Sequence, residues 1–340
     1  MSTETGTETG AAPATSSGLR RMVWVFPDRE STRSRAMWEP FFWDLYAEVA
    51  AELGLTWSRH TPDSIVVNAL DAGKPVVLVD GEPVTPEDTL FITALYSLPY
   101  QSMEIFNQYA LFSVLEQLGF YLPFPPWLAP IGNDKLATLL FFADSPIPTI
   151  PTIRVGCGPD VGKYVWESGL EGLTYPAIVK PAGWCGGGGV NLAANPQAVR
   201  GLASLAQGGD TTMVAQPYLG DGTLDYRVYV IDGEPYAMLR RTPEPGSLVA
   251  NASRGGGTAY PPVAPELAEA TAYFAEKVPI PFFCLDFLHD GERYWFSEIE
   301  PDGVIMPDST DPEGLRQRDI IRRRWTAYRN GHARWLEAGK

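Results

Sequence analysis

The sequence predicts a mixed chain, an open α/β lobe followed by a longer α+β region rich in strands. Between residues 21 and 118, short apolar runs of strand type alternate with stretches of helical spacing, the pattern of an open α/β sheet. From 171 to 300, strand-like runs dominate and only two helical stretches interrupt them. With 340 residues, 45% of them apolar, the chain is long enough for two or three packed lobes.

Residues 1–19, "MSTETGTETGAAPATSSGL", have no apolar periodicity and read as the body of a disordered tail over 1–20. Order begins at "RMVWVF" (21–26), a strand. A helical pattern follows at 37–53, then strands at 64–69, 75–80 and 89–94. Residues 102–118 place Ile105, Tyr109, Phe112 and Leu115 on one helical face. The proline-rich "YLPFPPWLAP" (121–130) reads as a rigid linker or lobe boundary. "GNDKLATLLFFADSPIP" (132–148) offers a cap, a helix and a proline stop, and a strand-like "TIPTIRV" comes next. Further strands are expected at 176–180, 211–216, 225–231, 234–240, 282–288 and 293–299, helices at 195–206 and 264–277, and a last helical region at 312–338. No internal repeat is visible. The expected domains are 21–131, a central lobe 132–208 and a C-terminal lobe 209–340.

Bulk properties narrow the function. A net charge of −15 argues against a nucleic-acid partner, which requires a basic surface, though not against a single nucleotide. Cys157, Cys185 and Cys284 are too widely spaced for a disulfide framework or metal motif, and His60, His289 and His332 are equally scattered. No apolar segment approaches membrane-spanning length and the N-terminus lacks the apolar core of a signal peptide, so a cytoplasmic protein without a membrane partner is expected.

Four stretches carry chemistry. In "YPAIVKPAGWCGGGGV" (175–190), a strand ends at Lys180 and a glycine turn, Gly186, Gly187, Gly188 and Gly189, follows. Such a turn can aim successive backbone N–H groups at a phosphate while the lysine supplies charge. The spacing is not that of a Walker loop, and a flexible hairpin tip explains the motif alone equally well. In "FFCLDFLHDGERYWFSEIEPDG" (282–303), two strand-like runs flank a tight-turn signal. Asp286 interrupts an apolar run, and Glu298 and Glu300 share one strand face because side-chain direction repeats every two residues. Three converging carboxylates call for a hard divalent cation, Mg²⁺ or Mn²⁺, or else for arginine partners in a structural network. Arg227, Arg240, Arg241 and Arg254 lie between these elements. They can clamp an oxyanion or phosphate, or pair with those carboxylates, and only one of Arg240 and Arg241 can face inward. Lys135 opens the helix in "GNDKLATLL", a place where most lysines are simply solvated.

Taken in order, "DK", "IVKP" with its glycine loop, "AQPYL", "DYRVYV", "LRRTP", "SRGGG", "LDF" and "EIEPDG" resemble the ATP-grasp superfamily, in the branch of ribosomal-protein glutamate ligases and bacterial glutathione synthetases. The resemblance covers roughly 132–303. It implies an ATP-grasp fold in which two α+β lobes sandwich ATP behind an N-terminal pre-grasp lobe. It further implies a ligase that joins a small-molecule carboxylate to an amine through an acyl phosphate. By the same resemblance, Lys135 and Lys180 hold ATP, Gly186–Gly189 close over its phosphates, and the hinge around Gln216, Tyr218 and Leu219 reads the adenine edge through backbone groups. Asp286, Glu298 and Glu300 match magnesium ligands, and Arg227 and Arg241 match the arginines at the γ-phosphate. Arg241 or Arg254 would stabilise the oxyanion of the second step.

This sequence departs from that pattern. Glu300 stands where the family usually has asparagine, Pro217 where the hinge usually has an acid, and Val249 and Cys284 where related enzymes often carry arginine. The departures put the acceptor in doubt more than the nucleotide. Loops at 28–42 and 95–108 follow predicted strands and are candidate acceptor sites, although Trp38, Phe41 and Phe42 read better as core. The Arg-rich 316–334 reads as a solvated helix face paired with acids. A ligase acting on a precursor peptide and a regulator without chemistry are the alternatives, and a homodimer is common among relatives.

Overall fold

The computed structural model describes residues 18–26, 42–95, 105–156, 167–184, 186–206, 211–244, 246–248, 257–308, 310–311 and 313–339. Most of the expected tail, the loop positions 28–41 and 96–104, Cys157, Cys185, Val249 and Arg254 lie outside these residues.

The N-terminal lobe runs β1 (Arg21–Val25), α1 (Asp44–Glu52), β2 (Thr56–His60), β3 (Ile65–Asn68), β4 (Val76–Val79), β5 (Glu82–Val84), β6 (Thr89–Ile92) and α2 (Ile105–Gln117). β1 is the middle of a parallel sheet ordered β2-β1-β6, and four of its five residues are buried, as expected for a strand covered on both faces. Strands β3 to β5 form a separate antiparallel meander. Sequence patterning missed β2, "TWSRH", and β5, "EPV", because both are short and largely polar. On α2, Phe112 and Leu115 are fully buried, whereas Tyr109 is 37% exposed.

The proline-rich stretch, expected as a rigid linker or lobe boundary, is packed against the core. Phe124 and Leu128 are buried, and a short helix, α3 (Ala129–Asn133), is separated from α4 (Lys135–Phe141) by the extended residue Asp134. Next come β7 (Ile153–Val155), β8 (Ala177–Pro181), β9 (Asn191–Ala193), α5 (Pro196–Ala206) and β10 (Met213–Pro217). They build a small antiparallel sheet ordered β7-β10-β8-β9, packed on α5 through Val179, Ala193, Val199, Ala203 and Ala215. Because β10 pairs with both β7 and β8, this lobe continues past the expected boundary at 208 to residue 217.

The large lobe follows with β11 (Leu224–Ile231), β12 (Glu234–Thr242), β13 (Gly257–Ala259), α6 (Pro265–Lys277), β14 (Phe282–His289), β15 (Tyr294–Glu300) and α7 (Leu315–Glu337). Its five strands are antiparallel in the order β13-β12-β11-β14-β15. One face, with Val228, Val230, Met238, Phe283, Leu285 and Phe287, packs on α6 and on Phe142 just past α4. Part of the other face, Tyr229, Ile231, Leu239, Phe282 and Cys284, shares one core with α7, β1 and α1. The N-terminal lobe is therefore fused to the C-terminal one through α7.

Within α7 the Arg-rich run divides. Arg318 pairs with Glu48 at 3.1 Å and, like Arg322, with Glu52 on α1, as a solvated face would. Arg324 instead is completely buried, its guanidinium 4.0 Å above the Phe282 ring. Gly331 lets the same helix close on the ring of Tyr121: an added Cβ would lie 2.1 Å from Tyr121 Oη and 2.8 Å from Cζ. Gly331→Ala is expected to destabilise by about 1–3 kcal/mol through overpacking, despite the roughly 1 kcal/mol that alanine gains in a helix. A lowered urea midpoint would show it; a raised one would mean that Tyr121 moves aside freely.

Candidate active site

The two sheets face each other across a cleft, and strand periodicity decides which side chains enter it. On β8, Val179 points into the α5 core and Ala177 is buried on the same face, so Ile178 and Lys180 face the cleft. After β8 the glycine turn folds back. Gly186, Gly187 and Gly189 have φ of 67°, 68° and 70°, the left-handed region that glycine adopts without strain. At Gly189 a Cβ would also stand 2.8 Å from two atoms of the Pro181 ring, so only glycine allows this turn to lie against the strand. Gly186, Gly187 and Gly188 line the cleft.

Lys135 sits in the first turn of α4, whose N-cap Asp134 accepts from the Leu136 and Ala137 N–H groups at 3.0 Å each. Its buried ammonium donates to the carbonyls of Trp184 (2.9 Å) and Ala182 (3.4 Å) and lies 3.4 Å from Glu298. It thereby ties the end of β8 to β15. Gln216 is also committed, its amide donating to Thr152 Oγ1 at 2.8 Å. Tyr218 donates its backbone N–H to Pro176 O, and its hydroxyl bonds to Asp221. The side chains of Gln216 and Tyr218 are thus engaged elsewhere, which leaves main-chain groups of the hinge facing the cleft beside the apolar side chains of Ile150, Ile178 and Leu288.

The large sheet supplies the charged wall. Its register sets Arg227 of β11 opposite Asp286 of β14, which is opposite Glu298 of β15. A bulge between Asp286 and Phe287 skips Ser297, so Phe296 faces the core while Glu298 and Glu300 face the cleft. Arg241 pairs across the strands with Asp225 and faces the cleft; Arg240, its neighbour, takes the other face. Sequence reasoning passed over Asp225, although its place two residues before Arg227 puts both on one face.

Asp286, Glu298 and Glu300 offer oxygens within 4.8 Å of one another. Burial pushes the Asp286 carboxyl up, but Arg227 and Arg241 outweigh it and hold it at about 2. Glu300 and Asp225 are both raised, by burial first and then by the Asp286 charge. Burial also pulls the Lys180 ammonium down to about 8, with Glu298 opposing and Lys135 reinforcing the fall. An all-oxygen donor set under mutual repulsion fits a hard divalent cation, and the lysines beside a glycine turn fit a polyphosphate. Lys135, Lys180, Gly186–Gly188, Gln216, Tyr218, Leu219, Arg241, Asp286, Glu298 and Glu300 thus line one cleft, Arg227 lies behind it on Asp286, and Gly189 and Arg240 do not line it. Arg227, Arg241 and Lys135, however, already have acidic or carbonyl partners.

The profile of the RimK-like ATP-grasp domain matches residues 132–305, just over half of the chain. No curated protein matches in sequence. Among solved structures, the D-cycloserine synthetase DcsG is similar at TM-score 0.57 and 16% identity, covering 89% of this chain and 99% of that one. The D-alanine–D-alanine ligase of Bacillus anthracis gives 0.60 and 13%, covering 94% and 100%. The ATP-grasp ligase PsnB, complexed with a minimal precursor, gives 0.56 and 16%, covering 90% and 99%. At these identities the structural likeness speaks for the fold. Among the described residues, no helix is long and apolar enough to cross a membrane.

Proposed function

Because the chain belongs to the RimK-like ATP-grasp family, we propose that it is an ATP-dependent ligase joining a carboxylate, of an amino acid or small peptide, to an amine. The observation that carries this reading is the meeting, in one cleft, of Lys180, the glycine turn and the three carboxylates of β14 and β15. In the first step a substrate carboxylate oxygen bonds to the γ-phosphorus of ATP, the bond to the β-phosphate oxygen breaks and ADP leaves. In the second the amine nitrogen bonds to the acyl carbon, phosphate departs and the nitrogen loses a proton.

Each group has a part in this chemistry. Lys135 and Lys180 neutralise phosphate charge, and the glycine turn offers backbone N–H groups and excludes water from an intermediate that hydrolyses. The hinge at 216–219 holds the base. Arg227 and Arg241 stand at the wall where negative charge develops, the kind of fixed positive charge phosphoryl transfer depends on. Mg²⁺ held by the carboxylates would supply charge neutralisation at the phosphates. Arg254 keeps its role at the oxyanion of the second step as part of this proposal.

A ligase acting on a longer peptide is the second reading. An apolar groove between α2 and α4, lined by Leu95, Ile105, Phe106, Tyr109, Pro130 and Ala137, ends at Asn133 and Asp134, next in the chain to Lys135 of the cleft, and Phe106 is 75% exposed. The test is phosphate release from Mg·ATP across a panel of amino acids, dipeptides and longer peptides, with products weighed by mass spectrometry and Glu298→Ala as control. The expected result is ADP and phosphate formed only with both a carboxylate and an amine, with the coupled product in the mass spectrum and neither in the control. A stable phosphorylated substrate would make the protein a phosphotransferase; ATP binding without turnover of any panel member would favour a regulator.

A further inference from the structure

Between β8 and the glycine turn the chain passes through Ala182, Gly183 and Trp184, and this passage is fixed to its surroundings. Ala182 donates its backbone N–H to Thr212 O at 2.7 Å and accepts from the Lys135 N–H at 3.1 Å. Gly183 runs so close to the α3–α4 junction that an added Cβ would stand 3.1 Å from Asn133 Oδ1. The Trp184 carbonyl accepts from Lys135 Nζ at 2.9 Å. Where this anchored stretch ends, Trp184 lines the cleft beside Lys180, Pro181 and the glycine turn. Gly189, at the far end of the turn, comes back over the same ring: its Cβ would lie 3.2 Å from Trp184 Cζ3 and 2.8 Å from two atoms of Pro181. The indole and the Pro181 ring are thus the floor on which the turn rests.

The indole Nε1–H is closed off from solvent and meets no acceptor among the described residues. A buried donor left unpaired costs about 1–3 kcal/mol, and a buried tryptophan N–H usually finds a partner. Trp43 and Trp57 also carry unpaired indole N–H groups, but they lie inside the aromatic core of the N-terminal lobe. Of the unpaired buried polar atoms among the described residues, only those of Trp184 and Arg241 belong to side chains that line the cleft. Arg241 already has Asp225 and Asp286 on its Nη2, at 2.7 and 2.8 Å; the Trp184 side chain has no such partner.

We propose that Trp184 is a phosphate-binding residue of this cleft: its indole N–H donates to a phosphate oxygen of the bound nucleotide as the glycine turn settles over it. The assignment rests on the ligase reading above and deepens it. An indole N–H is a donor only, so its partner must be an acceptor, and the neighbouring ammonium groups of Lys135 and Lys180 select an anionic one. The four glycines above the ring add no side chain that could screen it from a phosphate. The N–H is also neutral, so the cleft carboxylates that draw on Lys135 and Arg241 do not compete for it as an ion pair. Binding a phosphate oxygen would satisfy a donor that the chain itself leaves unsatisfied.

The test compares the wild-type full chain with Trp184→Phe, which keeps an aromatic ring under Gly189 and removes the N–H. Calorimetry is run with ADP and with adenosine. ADP binding is expected to weaken about tenfold, the loss of one hydrogen bond to a charged group, and adenosine binding by less than about twofold. An unchanged ADP affinity overturns the proposal. So does an equal loss for both ligands, which would make Trp184 a structural support of the cleft alone. Should Trp184→Phe fail to fold, or adenosine bind too weakly to measure, the wild-type chain labelled with ¹⁵N-tryptophan decides. One of its ten indole N–H resonances should move downfield on adding ADP. Ten that stay in place or move upfield overturn the proposal. A wild-type protein that binds no ADP would overturn the ligase reading itself, a separate outcome.

Discussion

Lys180→Met is expected to abolish most of the turnover, lowering kcat about a thousand-fold, while making the protein more stable at neutral pH. The two effects share a cause. Lys180 carries its charge into a half-buried position on β8, and desolvation brings its ammonium down to about 8. The depressed value means that the folded state disfavours the charge. That penalty is fully present below pH 8 and fades as pH rises from about 8 towards the unfolded lysine value near 10.4. Methionine keeps the apolar stem and omits the charge, so it relieves up to about 3 kcal/mol at pH 7, less what Glu298 loses with its neighbour. The gain in urea midpoint should be largest at pH 7 and close to zero by pH 10.5. A constant gain across that range would mean that Lys180 is not a strained cation. Turnover falls because a fixed positive charge at a transferring phosphoryl group is worth about 10²–10³ in rate or more. A Lys180→Met protein that turns over at the wild-type rate would remove Lys180 from the phosphate site.

How much of this was legible in the sequence depends on the range over which each feature is encoded. Lys180 and the glycine turn lie within ten residues of one another, and Glu298 and Glu300 are two apart on one strand, so local periodicity suffices. The clasp on Asp286 was legible only as an open alternative. Arg227 and Asp286 are 59 residues apart, and the β11–β14 register sets them side by side. Nothing in local spacing states a register. The short strands β2, β5, β9 and β13 escaped because three to five residues with few apolar side chains leave no period to read. Their pairing comes from neighbours already in place. The last helix holds a subtler lesson. Ile320, Ile321, Arg324, Trp325, Tyr328 and His332 form a helical stripe, and all are buried, yet the surrounding arginines make the whole run look solvated. Arg324 is carried inside by the stripe it belongs to, where aromatic faces at 4.0–5.3 Å receive its guanidinium.

Trp325→Ala tests whether that stripe holds the molecule together, and it should be among the most destabilising single changes. The indole is fully buried and meets Tyr46 of α1 edge-on at 5.3 Å and Trp24 of β1 at 6.4 Å. Its Nε1–H donates to the Tyr46 carbonyl at 3.2 Å. Truncating a buried aromatic costs about 3–5 kcal/mol through lost transfer energy and the cavity left behind. Against a usual domain stability of about 5–15 kcal/mol, that is a large share. The form of the transition is as informative as its midpoint. The same core includes Tyr229 and Cys284, on the strands that carry Arg227 and Asp286 two residues away. Because the N-terminal sheet, α7 and the charged wall share one core, far-UV and tryptophan signals should shift together to lower urea as one transition. Two separated transitions in Trp325→Ala would mean that the N-terminal lobe unfolds from the large sheet on its own, leaving the charged wall to stand without it. A single shifted transition would make the packing of α7 a condition for the cleft, and an assay near the new midpoint should then lose activity in step with the loss of structure.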